Sequence, residues 1–292
     1  MKIKGMVLVI IGAASFGFTP IFVKKGFEYG YSLGQINIIQ MLIAFLLLWS
    51  VTLVKKIKIS STSKLSVLKI LATGTTVGLT SIFYYGALQY LTASLAIILL
   101  FQFVWIGMIY ERIFNGTKPN KINFISLLVT FSGVFFASGI LEGEILDISS
   151  TGLILGLLSG VSYSGFIFFS GQIAIGHPPL LKSTWMVTGS FLLVCLVFFE
   201  DIFSINPTDN RLWLIGGGVA LVGAVIPSIF FAGGAPLISG RLANVLSSIE
   251  LPVAIISAMI ILSESVTLMQ WLGVLLIVLA IFINELKSPV SQ

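Results

Sequence analysis

The sequence predicts an all-α polytopic membrane protein: ten transmembrane helices in two inverted five-helix repeats around a central cavity. Three observations lead there. Of the 292 residues, 57% are hydrophobic and only 9% charged, where a soluble domain carries about 25% charged residues. With a mean hydropathy of +1.09, most of the chain needs lipid as its solvent. Apolar runs near the roughly 20 residues that a helix needs to span a bilayer recur along the whole chain. The sequence also matches itself at a single constant offset.

The spans read as 5–23, 35–54, 67–88, 92–111, 122–140, 151–170, 181–199, 212–233, 241–262 and 268–285. The start, Lys2 and Lys4 ahead of an apolar run, resembles a secretory signal. The same pattern returns at Gly152 to Ser170, so it reads as a building block of the fold. Bends are predicted at Pro20, Pro227, Pro236 and Pro252, where the backbone donor is missing. With the amino terminus inside, 13 of the 16 basic residues fall on the inner side, and Lys24, Lys25 and Arg211 fall outside. Glu142, Glu144, Asp147, Glu200, Asp201 and Asp209 sit in outer loops. Basic residues near span ends resist translocation, so both termini are expected in the cytoplasm of a multi-pass cell-membrane protein.

The self-match has an offset of 147 residues. Gly5 falls on Gly152, Ser15 on Ser162, Ser81-Ile82-Phe83 on Ser228-Ile229-Phe230, Gly86 on Gly233, Leu95-Ala96 on Leu242-Ala243 and Phe124 on Trp271. Two halves, 1–146 and 147–292, follow. Five spans is an odd number, so the second half starts on the opposite side of the membrane. Inverted halves around a midplane site are the plan of many secondary transporters.

Other functions are less well served. The lone cysteine, Cys195, excludes an internal disulfide, and no Cys/His/carboxylate cluster has metal spacing. A pI of about 9.3 could suggest nucleic acid, but the basic residues lie between spans rather than on one soluble surface. A membrane enzyme needs a catalytic constellation; the one histidine, His177, lies in a loop beside Pro178-Pro179, and one carboxylate is deep in the membrane. A passive channel and a receptor remain the rival readings. No cofactor is expected, and a monomer or a homodimer could work.

Gly240-Arg241-Leu242-Ala243, Ser247-Ser248-Ile249-Glu250-Leu251-Pro252-Val253, Leu262-Ser263-Glu264 and Trp271-Leu272-Gly273-Val274 together resemble the EamA family of the drug/metabolite transporter superfamily. Ala93-Ser94-Leu95-Ala96 and Leu100-Phe101-Gln102-Phe103-Val104-Trp105 stand at the matching place in the first half. The first half departs from the pattern, with Gln102 and Trp105 near the position of the Glu-x-Pro element. The resemblance covers essentially the whole chain. It implies a bacterial or archaeal cytoplasmic-membrane carrier of small metabolites such as amino acids or related compounds, often exporting them.

Glu250 is the sharpest candidate. A carboxylate at the bilayer centre costs several kcal/mol unless it meets a cavity, a partner or a proton. It reads either as a proton- or substrate-binding group or as a protonated structural group bonded to a neighbouring helix. Asn244, Ser247, Glu250, Ala254 and Ser257 form one small or polar stripe, and Thr73, Thr76, Thr80 and Tyr84 another. Ser94, Gln102 and Trp105 share a face, and Ser15, Thr19, Ser159, Ser162 and Tyr163 add polar positions on the first and sixth spans. The stripes suggest a shared water- or substrate-filled centre; each alone is equally a set of helix–helix hydrogen bonds. Gln102 is one residue from the counterpart of Glu250 and is expected at midplane depth as a substrate partner. Tyr84, Tyr85, Trp105 and Tyr163 are expected as aromatic walls or core. The expected mechanism is alternating access with protons as a possible coupling ion at Glu250.

Overall fold

The structure is a computed structural model describing residues 1–58, 63–91, 93–137, 149–261 and 266–286, apart from the side chains of 93–95, 258, 281–282 and 284–286. The Ser94 side chain, Leu262-Ser263-Glu264, Lys287 and the loop acids Glu142, Glu144 and Asp147 therefore lie outside the described residues.

The described residues fold as fifteen α-helices without a strand. The first half holds α1 (Lys2–Phe16), α2 (Thr19–Glu28), α3 (Leu33–Val54), α4 (Lys64–Ala87), α5 (Ala93–Leu100), α6 (Phe103–Asn115) and α7 (Lys121–Ala137). The second holds α8 (Ser150–Gln172), α9 (Pro179–Val197), the short α10 (Phe199–Ile202), α11 (Asn210–Ala220), α12 (Ile226–Gly234), α13 (Gly240–Ser247), α14 (Glu250–Ile261) and α15 (Leu268–Leu286). Taken with their continuations, eight stretches are long and apolar enough to cross a membrane: Lys2–Glu28, Leu33–Val54, Lys64–Ala87, Ala96–Asn115, Ser150–Gln172, Pro179–Val197, Asn210–Leu237 and Gly240–Ile261. Lys121–Ala137 and Leu268–Ala280 are apolar but shorter. The molecule is thus a polytopic helical membrane protein.

The expected proline bends take a specific form. Pro20, Pro227 and Pro236 each stand in the first turn that follows a helix discontinuity, and Pro252 is the third residue of α14. A missing N–H there leaves no intrahelical bond unmade. The discontinuity before α12 is a π turn, Leu221–Val225, a wider turn that often marks functional sites. Ser15 Oγ on α1 donates to the Val222 carbonyl in this turn at 2.8 Å. Ser15→Ala is expected to destabilise the protein by about 1 kcal/mol, the net worth of one such bond, read as a lower unfolding temperature in detergent.

Packing between the halves comes in exchanged pairs. α4 lies on α8 and α9, while α11 lies on α3 and α12 on α1; α7 packs on α15, and α3 on α9. The correspondence extends to residues. A side chain at Gly5 would meet Leu237 and Ile238, and one at Gly152 would meet Tyr90 and Leu91, each partner displaced by the 147-residue offset. Ser126 Oγ donates to the Ala280 carbonyl at 3.0 Å, and its offset mates, Gly133 and Gly273, meet backbone to backbone. Small residues let helices approach this closely. Gly152, Gly156 and Gly160, spaced four residues apart on α8, form the seam that receives Leu91, Leu99 and Leu100.

Lys182, counted in the sequence among the inner basic residues, is fully buried near the start of α9, and its Nζ donates to the Ser170 carbonyl. Pro178-Pro179 ahead of it begin the helix early enough to turn that side chain into the protein.

Candidate functional site

Two helix breaks set the site. α5 stops and α6 restarts across Phe101-Gln102; α13 stops and α14 restarts across Ser248-Ile249, the same pair of positions at the 147-residue offset. Glu250 is the first residue of α14, and Pro252 fits this first turn without losing a bond. A third break, between α1 and α2, receives it. A Cβ on Gly17 would stand 2.6 Å from the Glu250 carbonyl and 2.9 Å from Val253, so only glycine lets the start of α14 seat there.

The Glu250 side chain opens on a narrow cavity. Its walls are Phe16 from α1, Thr19 and Pro20 from α2, Val77, Thr80, Ser81, Tyr84 and Tyr85 from α4, Leu100 from α5, Tyr163 and Phe166 from α8, and Gly223 from the π turn. Tyr163 is held by rings on two sides, with Phe103 at 4.9 Å and Phe16 at 5.3 Å, both edge-on. The space open to water centres is about 30 Å³, enough for about one or two water molecules. The water- or substrate-filled centre expected from the polar stripes is therefore small and largely aromatic, because Tyr84, Tyr85, Tyr163, Phe16 and Phe166 fill the middle. A metabolite can enter only if the helices around it part.

Unpaired polar atoms concentrate here. Glu250 Oε2, Tyr163 OH and Thr19 Oγ1 are buried without a well-aligned hydrogen bond among the described residues, although the Tyr163 hydroxyl stands within reach of the Glu250 carboxyl group. Gln40 of α3, behind Gly223 and close to Thr19, is fully buried and leaves its amide without a well-aligned partner, with the Tyr85 hydroxyl within reach. Each such group costs about 1–3 kcal/mol. Four of them from four helices in one place is a costly arrangement for a purely structural core.

Of the residues predicted for the site, Glu250, Tyr84, Tyr163 and Thr80 line this cavity. Thr80 Oγ1 bonds the Thr76 carbonyl at 2.7 Å and lies 3.0 Å from Ser162 Oγ, tying α4 to α8. Ser15 stands one layer back, on the π turn.

The other four do not line the cavity. Gln102 lies in a separate groove with Ile98, Phe131 and Phe135. Its amide is spent on the Ile98 carbonyl at 2.9 Å and on accepting Trp105 Nε1 at 2.7 Å. The residue that corresponds to Glu250 is Phe103, fully buried against Tyr163. One step back along a helix rotates a side chain by about 100°, which carries Gln102 out of that direction. Trp105 borders a groove with Met108, Arg112 and Phe131. Asn244 is buried where α13 meets α6 and α8: it donates to the Gly240 carbonyl at 2.8 Å, lies 3.4 Å from Ser164 Oγ and packs on Gly107. Ser247 Oγ returns to the Ala243 carbonyl of its own helix at 2.8 Å. For these two, helix packing is the reading the geometry favours.

Gln40 was not anticipated. Its signal was present: Asn37 and Gln40, one turn apart inside an apolar span, are the kind of intramembrane polar pair that faces a protein interior.

At the end of the bundle where α2 meets α3, polar side chains join the halves. Tyr31 OH donates to Asp209 Oδ2 at 2.8 Å, Ser32 Oγ to Asp201 Oδ1 at 2.6 Å, and Gln35 Nε2 to Ser204 Oγ at 3.1 Å. The Tyr31 bond holds the Asp209 carboxyl below its usual range. A carboxyl with a lowered folded value supports the fold above its unfolded value and stops doing so as pH falls through the folded one. Tyr31→Phe is therefore expected to move the Asp209 titration midpoint, followed by carboxyl ¹³C shifts, upward, part of the way back to the ordinary aspartate range.

The comparisons with known proteins agree with this architecture. The family model for EamA-like transporters matches the chain twice, over residues 3–139 and 150–285. An uncharacterized inner membrane transporter, YicL of Salmonella typhimurium, is 25% identical over 292 residues, covering 98% of this chain and 96% of the relative. An uncharacterized protein of Methanocaldococcus jannaschii, MJ1333.1, is 28% identical over 144 residues, which is 47% of this chain but 98% of that protein. One crystal structure superimposes with a TM-score of 0.80 over 98% of both chains at 13% identity, a likeness of fold.

Proposed function

The chain belongs to the EamA-like transporter family, and on that premise we propose that it is a secondary carrier of small metabolites, amino acids or related compounds, working by alternating access and exporting them across the cell membrane. Ten spans form two inverted halves, 1–146 and 147–292, with both termini in the cytoplasm. The two shorter apolar helices, α7 and α15, are the fifth and tenth spans. The exchanged helix pairs, the residue contacts that repeat at one offset and the half-length archaeal relative support this layout. An odd number of spans in each half then makes the halves antiparallel.

The observation that carries the proposal is the group of unpaired polar atoms around Glu250, where the two halves meet. Rocking of the halves opens this cavity first to one side and then to the other, and Glu250 couples the motion to protons. Counterflow in proteoliposomes tests the carrier. Unlabelled substrate inside is expected to accelerate entry of labelled substrate from outside. Fast flux that rises linearly with concentration and shows no counterflow would mean a passive channel instead.

A further inference from the structure

The cavity is chemically one-sided, and this refines the substrate class within the carrier reading on which it rests. Glu250 brings a carboxyl group, and the residues lining the cavity include no Lys, Arg or His. Among the described residues, the elements packed around it contribute no basic side chain to its walls. From α4 come Tyr84 and Tyr85, from α8 Tyr163 and Phe166, from α5 Leu100, and from α1 and α2 Phe16 and Thr19. Lys24 and Lys25 of α2 and Lys121 at the start of α7 are exposed, and the described part of α15 up to residue 283 carries no charged residue.

A carboxylate in such a place must be neutralised, by a proton or by a cation. Aromatic faces within reach of a cation attract it further. A zwitterionic amino acid would bring a second carboxylate into a cavity with no positive partner, and the phenols, Thr19 and Gln40 offer it only neutral donors.

We propose that the site takes small amines as their ammonium ions rather than amino acids, each ammonium displacing the proton held by Glu250, with Thr19 and the phenols of the wall reading a neutral hydroxyl or amide elsewhere on the ligand. The exchange is balanced: the Glu250 O–H bond breaks, the proton leaves to water, and the carboxylate formed pairs with the ammonium. One positive charge enters as one leaves.

The test uses the purified full chain in weakly buffered detergent with a pH-indicator dye. Tyramine, phenethylamine and ethanolamine are added beside tyrosine, phenylalanine and serine, which differ from them only by the carboxylate. At least one amine is expected to bind with release of up to one proton per chain, and its amino acid about 100-fold more weakly, as for a desolvated charge left without a partner. Glu250→Gln is expected to lose both binding and proton release while unfolding at an unchanged or higher temperature, and Glu250→Asp to retain part of the proton release. The proposal is overturned if none of the three amines releases a proton, if an amino acid binds as tightly as its amine, or if Glu250→Gln binds the amine unchanged. Counterflow of tyrosine, phenylalanine or serine without proton release would overturn the amine specificity and leave the carrier standing. Amine binding with proton release but no flux would do the reverse.

Discussion

Glu250→Gln is expected to lower pH-driven flux in proteoliposomes by about 100-fold or more, while the protein folds normally. Glutamine keeps the volume of the side chain, so the packing of α14 against Gly17 and Val253 against the α1–α2 break is retained. What it lacks is the capacity to carry a proton or a charge. Losing a desolvated charge pair costs about 2–5 kcal/mol, and about 1.4 kcal/mol is tenfold. The fold has little to lose: Glu250 Oε2 makes no well-aligned hydrogen bond among the described residues, and a glutamine amide can still meet the Tyr163 hydroxyl within reach of the carboxyl group, so thermal stability is expected to stay unchanged or rise slightly. Retained pH-driven flux would remove Glu250 from coupling, and a collapse in stability would make it a structural group.

Gly74→Ala is expected to have the opposite signature, loss of the folded protein itself. A Cβ on Gly74 would fall on the backbone carbonyl of Met186, and one on Gly189 would fall on the carbonyl of Leu71. α4 and α9 thus touch backbone to backbone at two points, and Ser190 Oγ donates to the Gly74 carbonyl at 2.6 Å across the same seam. No rotamer relieves a clash at Cβ, so the helices must separate and the bond must break. The cost is expected to exceed the roughly 1–3 kcal/mol of ordinary overpacking, read as a lower unfolding temperature and a lost monodisperse peak in size-exclusion chromatography. Gly217→Ala is the control. Its nearest neighbour, Ile43 Cδ1, lies 3.8 Å from the added Cβ, and stability is expected to hold within about 0.5 kcal/mol or rise. Equal behaviour of the two variants would mean that the seam yields.

What could be read from the sequence follows from what carries a strong one-dimensional signal. Apolar runs of membrane length marked the long helices, because lipid leaves few other ways to satisfy a backbone. Glu250 stood out because a carboxylate inside a span is costly wherever it points. The constant offset of Gly5 with Gly152 became visible contacts, each glycine beneath a matching pair of residues from the other half.

Direction around a helix was harder. The Gln102 side chain turns to Ile98 and Trp105, since being one residue from the counterpart of Glu250 is a large rotation. Asn244 and Ser247 share a helical stripe with Glu250 in sequence. The break at Ser248-Ile249 interrupts that register, and their side chains end in bonds to Gly240 and Ala243. The π turn at Leu221–Val225 has no composition that announces it. Gln40 gave a weaker signal than Glu250 because α3 carries no charge, and neutral amides such as Asn37 and Gln40 in an oily helix read as packing until their neighbours are known.

The central claim is that the Glu250 cavity is reached in turn from both sides of the membrane. Ser81 lines it and is buried, its hydroxyl bonded to the Gly78 carbonyl of its own helix at 2.9 Å. In a Cys195→Ser background, Ser81→Cys provides a single thiol at the cavity wall. A membrane-impermeant methanethiosulfonate reagent is then applied to right-side-out and to inside-out vesicles. Labelling from each side, with a pH gradient shifting the balance between them, is the predicted result. Labelling from one side alone, whatever the gradient, would contradict alternating access through this site.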